Sequence, residues 1–457
     1  MSKVDTEGWK QKAKDRALET RSLKKKVKEV SESRDYWKEK YMTLSKKKYD
    51  KPLGHQYQTV LIALCLYVQS KCHCSYRACA TIVAGCALLF DIDCRKPSAS
   101  TIRNWVIKSG YYEYIQPPVR GGKWCIIIDE SVSIGRERLL LILGVPLKDW
   151  TAKKPLSQKD TRVLFIGIKE SWKADAIAKE LDALSKKISI GYCVSDKGNS
   201  IVAAVKKAGL IHVNDCSHEW ANFMECCYGE NETFKILMSK LAMIRKTGFL
   251  SSYSHLIPPQ LRSKARFMNV FPLIEWIERI WDNWDLLAEP VKEKLSFLND
   301  CKKHIEEWII LKNVIGEMST ILKTKGMSRS TLDSCKKILN EKCTYGGTKE
   351  FSEMLQASWN KYDSILNKKN SKFICCSDII ESYFGKFKQK IKGTDSITDT
   401  VLTMCTWGKE INIEEIEKAL ESVKLKDIKV WKEKNTTMSY LKIRRLFFAQ
   451  NCSKKAA

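Results

Sequence analysis

The sequence predicts an α/β core built on a mixed five-stranded sheet, set within a larger all-α protein. Three observations carry this. Short apolar runs, several ending in an acid, are confined to residues 123–215, where they alternate with helical stretches. Only 10 prolines and 21 glycines occur in 457 residues, so long helices should dominate the remainder. Apolar residues make up 44% of the chain, which is enough to fill real cores and excludes wholesale disorder.

The elements follow in order. Residues 1–50 read as one coiled-coil-like helix, with no Gly after Gly8 and no Pro. Trp9, Ala13, Leu23, Val27, Val30, Trp37, Tyr41 and Leu44 recur at an alternating 3-and-4 spacing, interrupted by Arg16, Thr20 and Arg34. Such a stripe suits self-association or docking on the protein's own surface. Lys51-Pro-Leu-Gly54 breaks the helix. Residues 51–118 form a helical block, with helices over 58–69 and 76–89. A third helix starts at Ser98 or Ser100, either of which can cap it. In it, Ile102, Trp105 and Val106 make an apolar face, leaving Thr101, Arg103, Asn104 and Lys108 to point outward. A helix-turn-helix needs this split to lock one face and offer the other to the DNA major groove.

Residues 119–227 hold the first part of the core. Strands are expected over 123–129, 138–145, 161–168, 188–195 and 210–213, with helices over 173–187 and 199–207. Three hairpin-compatible strands followed by an αβαβα run give a mixed sheet with helices on both faces. Residues 228–370 read as a helical insertion, with its tryptophans in the core. Residues 371–400 read as a further helix that completes the core, and 401–457 as a helical C-terminal region.

Lys and Arg total 80 against 53 Asp and Glu, a formal charge of +27 spread along the chain. That imbalance points to a polyanionic partner, and its spread favours double-stranded DNA over several domains. No stretch of about 18 apolar residues exists to cross a membrane, and the start is a charged helix without a signal-peptide core. The 18 cysteines lack a scaffold spacing, so reduced thiols and a cytosolic location are expected. Cys72, Cys74, Cys79, Cys86 and Cys94 cluster around His73. Their irregular spacing suits buried small hydrophobes better than zinc.

The chemistry rests on where the acids fall. Asp129 follows Cys125-Ile-Ile-Ile128, and Asp196 follows Tyr192-Cys-Val-Ser195. A carboxylate at the end of a buried strand is costly unless it is paired or protonated. Two such acids on neighbouring strands make a hard-oxygen site suited to Mg²⁺. The third ligand is expected from Ser377-Asp378-Ile-Ile-Glu381, with Glu381 preferred and Asp378 read as a helix cap. Lys386, Lys388, Lys390 and Lys392 follow, able to meet phosphates.

These residues resemble the DDE transposases of bacterial insertion sequences, over 123–215 and 377–390. The resemblance implies an RNase H-like fold with Asp129, Asp196 and Glu381 as the catalytic, metal-holding triad. Asp215-Cys-Ser-His218 is similar to a string found after strand five in many such enzymes, which makes Asp215 and His218 supporting residues. Glu381-x6-Lys388 matches half of a motif around the last acid. Ile374 and Ser377 stand where that motif has Tyr and Arg. The resemblance further implies Mg²⁺, with Mn²⁺ able to substitute, and DNA nicking followed by strand transfer. The two element ends must meet, so a homodimer or higher assembly on DNA in the bacterial cytosol is implied, with the N-terminal helix as connector. In the insertion, Arg262, Lys264 and Arg266 beside Phe267 look like a phosphate-gripping segment. A DNA-binding regulator without catalysis and an RNase H-like nuclease are the rival readings.

Overall fold

A computed structural model describes residues 3–46, 51–92, 94–118, 121–134, 137–260, 267, 270–366, 371–391, 396–438 and 440–455. Four helices come first: α1 (Lys3–Lys46), α2 (Thr59–Lys71), α3 (Tyr76–Leu89) and α4 (Ala99–Ile115). The sheet region follows as β1 (Lys123–Ile134), β2 (Glu137–Pro146), β3 (Arg162–Lys169), α5 (Ala174–Ser185), β4 (Ser189–Ser195), α6 (Asn199–Lys207) and β5 (His212–Asn214). The five strands form one mixed sheet in the order β3-β2-β1-β4-β5. β1 and β2, and β2 and β3, are antiparallel; β1 and β4, and β4 and β5, are parallel.

The apolar runs are continuous because both faces of the sheet are covered. Side chains alternate across a strand, so β1 sends Cys125 and Ile127 to one core and Trp124, Ile126 and Ile128 to the other. The smaller core is closed by Ile177 and Leu181 of α5 and by Ile201 and Val205 of α6. The larger core runs on into the helices after the sheet.

Those helices are α7 (Cys216–Tyr228), α8 (Glu232–Gly248), α9 (Phe271–Asp282), α10 (Glu289–Leu295), α11 (Phe297–Asp300), α12 (Lys302–Lys325), α13 (Arg329–Lys342), α14 (Gly346–Trp359) and α15 (Asp363–Leu366). Trp308 of α12 is buried between Phe234 and Tyr228, so this tryptophan is core. Trp276, Trp281 and Trp284 are partly buried against the same core. The chain ends with α16 (Asp378–Lys390), a 3₁₀ segment (Asp399–Thr406), α17 (Ile413–Ser422), α18 (Leu425–Asn435) and α19 (Tyr440–Lys455).

The C-terminal region does not stand apart from the N-terminal block. Ile416 and Leu420 of α17 belong to the same core as Leu61, Ile62 and Cys65 of α2, Cys79 of α3 and Trp105 of α4. The segment Asp399–Thr406 crosses α4 so closely that a Cβ on Gly110 would lie 2.2 Å from the Leu402 carbonyl oxygen. Cys65 and Cys79 are packed as small apolar side chains. Among the described residues no helix is long and apolar enough to cross a membrane.

Candidate active site

Strand register builds the site. In the parallel pair of β1 and β4, Ile127 faces Val194. Asp129 and Asp196 each lie two residues further on, which makes them neighbours. Asp196 follows the end of β4, whereas Asp129, expected to end its strand, does not, because β1 runs on to Ile134 paired with β2. Asp129 is half-buried and accepts a hydrogen bond from its neighbour Glu130 N at 2.7 Å. Asp196 accepts from Gly198 N at 2.9 Å. A Cβ at Gly198 would sit 2.9 Å from Asp196 Oδ1, so glycine permits this turn before α6.

β5 adds a third acid at the same end. Asp215 is buried and caps α7, accepting from His218 N at 2.8 Å. Its other oxygen accepts from the backbone N–H and, at 2.8 Å, the hydroxyl of Ser377. Burial pushes its carboxyl up, and the His218 and Ser377 donors pull it back. Ser377 immediately precedes α16, so Asp215 ties the end of β5 to the start of the Glu381 helix.

Three more contacts hold that junction. Cys216 N donates to the Cys375 carbonyl at 2.9 Å, and Ile374 N donates to the Tyr192 hydroxyl at 2.7 Å. Met327 and Phe373 form an antiparallel bridge beside Gly326, whose positive φ of 73° and close contact with Trp150 leave no room for a side chain. The helical insertion therefore returns to the sheet at a fixed point.

Glu381, in the first turn of α16, pairs with His218 Nε2 at 3.2 Å. This hydrogen bond, opposed by burial, lifts the imidazole to about 9, so His218 is cationic at neutral pH. Asp129 moves the other way for an acid. Burial first, then the charge of Asp196, raises its carboxyl from 3.8 to about 7, and Glu381 adds to the rise. Asp129 and His218 thus both feel the charges of Asp196 and Glu381.

Among the described residues, only Asp215, Cys376 and Asp378 bring three ligand-type atoms within 4.8 Å of one another. That trio is already committed. Both Asp215 oxygens accept hydrogen bonds within the chain, and Asp378 pairs with Lys323. Asp129, Asp196 and Glu381 do not come that close; Asp196 and Glu381 are near enough to act on the charge of Asp129, and all three are carboxylates, the donor type that hard cations such as Mg²⁺ take. A groove of about 470 Å³, lined by Trp220, Phe271, Lys312 and Lys323, opens beside Glu381.

The expected DNA-facing residues divide sharply. Arg103 pairs with Asp399 at 2.5 Å, and Lys108 donates to the Leu420 carbonyl at 2.8 Å. The polar face of α4 is thus covered by the C-terminal segments, and these two cations do not point outward. Thr101 is turned toward its own helix cap, Ser98, at 2.8 Å, and Asn104 is half-buried. Lys386 donates to Gln158 Oε1 at 3.0 Å, whereas Lys388 is exposed. Lys390 is turned inward over the Tyr76 ring, not outward toward phosphates. Arg262, Lys264, Arg266 and Lys392 lie outside the described residues.

The sequence reading missed Ser377 and Tyr192 as the clamps of the Glu381 helix. The polar Ser377 directly before an acidic first turn was the available signal for the former. No protein-family model matches the chain, and no curated protein matches it.

Proposed function

We propose that this chain is a DDE-type transposase, a polynucleotidyl transferase that binds the double-stranded ends of a mobile element, nicks them and joins them to target DNA. The observation that carries the reading is the register that sets Asp129 of β1 beside Asp196, just past the parallel β4, with Glu381 near enough to act on the charge of Asp129. The strand order, two antiparallel pairings followed by two parallel ones, supports an RNase H-like core. Asp129 and Asp196 would hold Mg²⁺, or Mn²⁺ in its place, with Glu381 completing the set. When bound, the metal supplies activation of a water and stabilisation of the leaving 3′ oxygen.

The chain's own residues do the remaining work. Asp215 and Ser377 hold α16 so that Glu381 faces the sheet end. His218 pairs with the Glu381 carboxylate and orients it. Exposed Lys388 lies two turns beyond Glu381, where it can neutralise a phosphate of the incoming strand. The +27 charge draws the duplex to the protein, which acts in the cytosol on nucleoid DNA.

The test is cleavage of labelled DNA carrying the element's terminal inverted repeats, with Mg²⁺, by wild type and Asp196→Ala. Nicking at the element boundary that disappears in the variant is expected. Specific binding without cleavage by either protein overturns the enzyme and leaves a DNA-binding regulator. Cleavage of RNA–DNA hybrids with no preference for element ends leaves a nuclease.

A further inference from the structure

Two lysines of the groove beside Glu381 are neutralised one to one: Lys323 pairs with Asp378, and Lys312 with Glu278. Lys197 and Lys361 are not. Both ammonium groups meet the same carboxylate oxygen, Glu219 Oε1, at 3.2 and 3.3 Å. Asn214 Nδ2 holds that oxygen more closely, at 2.7 Å. Glu219 is buried, with 3% exposure, and a single cation would offset its charge. The second lysine leaves the cluster with a net positive charge.

The cluster grows from elements that also build the acidic site. Lys197 is the residue after Asp196. Lys361 lies in a 3₁₀ turn, Asn360–Tyr362, whose Tyr362 hydroxyl accepts from Asn214 N of β5 at 2.9 Å. Asn214 therefore fixes the turn that carries Lys361 and, through its side chain, the glutamate that both lysines meet. Glu219 follows His218 in the first turn of α7, and consecutive helical residues point about 100° apart. One helical turn thus sends His218 to Glu381 and Glu219 to the two lysines. His212, bonded to Ser195 at 2.8 Å, senses the whole group. Burial and then Lys361 lower its imidazole, Asp196 and Glu219 oppose, and Lys197 adds to the fall.

Both lysines keep donors to spare. An ammonium group has three N–H donors, and among the described residues Glu219 is the one acceptor that either meets. Their contacts are longer than the roughly 2.7–2.9 Å of a tight ammonium–carboxylate bond. Their side chains are 38% and 43% exposed, so solution can reach them. Burial, helped by the Lys197 charge, holds the Lys361 amine below its ordinary value although Glu219 pulls it up. An anion from solution relieves that tension. The neighbouring acids Asp129, Asp196 and Glu381 repel a polyanionic strand, and a surplus cation beside Asp196 offsets that repulsion where the strand must pass.

We propose that Lys197 and Lys361 form a seat for a backbone phosphate of the DNA entering the site, on the Asp196 side as Lys388 serves the Glu381 side. The seat rests on the transposase reading for the identity of the strand, but the contact needs neither metal nor cleavage.

The test is duplex DNA binding by the full chain in EDTA over a salt series, so it is independent of cleavage. Lys197→Gln and Lys361→Gln are each expected to weaken binding about 5–10-fold near 0.1 M salt and to lower the slope of log K against log salt by about 1. Lys361→Arg keeps the charge and should restore both. A role confined to holding Glu219 would lower the thermal midpoint of the Gln variants without moving the slope. Acetylation of accessible amines, read by peptide mapping on the wild type, locates the contact without any variant: duplex is expected to protect Lys197 and Lys361. Affinity and slope unchanged in both Gln variants, or equal acetylation of the two amines with and without bound duplex, overturns the seat and leaves the transposase reading to its cleavage test. A wild type that binds no duplex overturns both.

Discussion

The two ends of α16 make opposite electrostatic problems from the same helix. At its start, Glu381 lies near Asp129 and Asp196, and burial, then the charge of Asp196, raises Asp129 to about 7. At its end, Lys390 is sealed against Tyr76, and its amine finds no hydrogen-bond partner among the described residues. Burial pushes that amine down to about 7. Near it, burial and then the charges of Lys386, Lys390 and Lys71 depress His73. One end opens into a cleft and the other is closed. The open end can be relieved by a cation from solution; the closed end can be relieved only by losing a proton. A shifted titratable group therefore marks a binding site only where the group remains reachable.

Asp129→Asn should break the open end and have the largest effect. On the proposed reading, losing this carboxylate should cost on the order of 10³-fold or more in cleavage, since metal charge stabilisation is worth several kcal/mol. Stability should move the other way. A carboxyl raised from 3.8 to about 7 contributes stability that is fully present below pH 3.8 and lost as pH rises through 7. In EDTA, Asn should therefore stabilise the protein at pH 8 by up to ~4 kcal/mol, at about 1.4 kcal/mol per pKa unit, and should not at pH 4. Mg²⁺ should raise the wild-type melting temperature at pH 8 more than at pH 6, because metal must displace the Asp129 proton. Melting curves across pH with EDTA or Mg²⁺ check this. A wild type indifferent to Mg²⁺ at both pH values would remove the metal site.

Lys390→Met probes the closed end. An amine depressed from 10.5 to about 7 contributes stability that is present above pH 10.5 and lost as pH falls through 7. The variant should gain stability at pH 6 and lose that advantage toward pH 10. A gain of ~2 kcal/mol is expected, smaller than the shift alone implies because the contact with the Tyr76 ring is lost. DNA affinity should be unchanged, as the amine does not reach the surface. A denaturation series at pH 6 and pH 9 with a binding titration decides it; weaker DNA binding would reopen Lys390 as a phosphate contact.

The contrast between the ends also explains what the sequence could show. Helix starts and most strand ends lie within about two residues of expectation, because apolar runs and caps such as Ser98 are local signals; β1 is the exception, running five residues past Asp129 to Ile134. The placement of Asp129 and Asp196 on neighbouring strands was legible for the same reason. The covering of α4 was not. Arg103 meets Asp399 across 296 residues, and Lys108 meets Leu420 across 312, and a polar pair at that distance has no periodic signature. A hint existed in Ser109-Gly110, two small residues on the buried stripe of α4 where another backbone crosses. Lys390 was misread as part of a basic run. Its spacing from Tyr383 and Phe387 puts it on the apolar face of α16, which period-based reading can detect once charge is set aside.

Ser377→Ala acts between the two ends and should have the smallest effect. It removes the hydroxyl from buried Asp215 but leaves the backbone N–H of residue 377 and His218 N as donors. Losing one hydrogen bond to a charged, mostly satisfied group should cost ~1–2 kcal/mol of stability. The cleavage rate should fall about 10–100-fold, as for groups that orient a metal ligand through an intermediary, because α16 then pivots more freely at Glu381. Ser377→Thr retains the hydroxyl and should keep both. If Ser377→Ala lowers the melting temperature yet leaves the cleavage rate and its Mg²⁺ dependence unchanged, the Asp215–Ser377 clamp supports the fold without aiming Glu381. The positioning of the acidic end would then belong to the Tyr192 and Cys216 contacts, which fix the backbone of residues 374–375 directly.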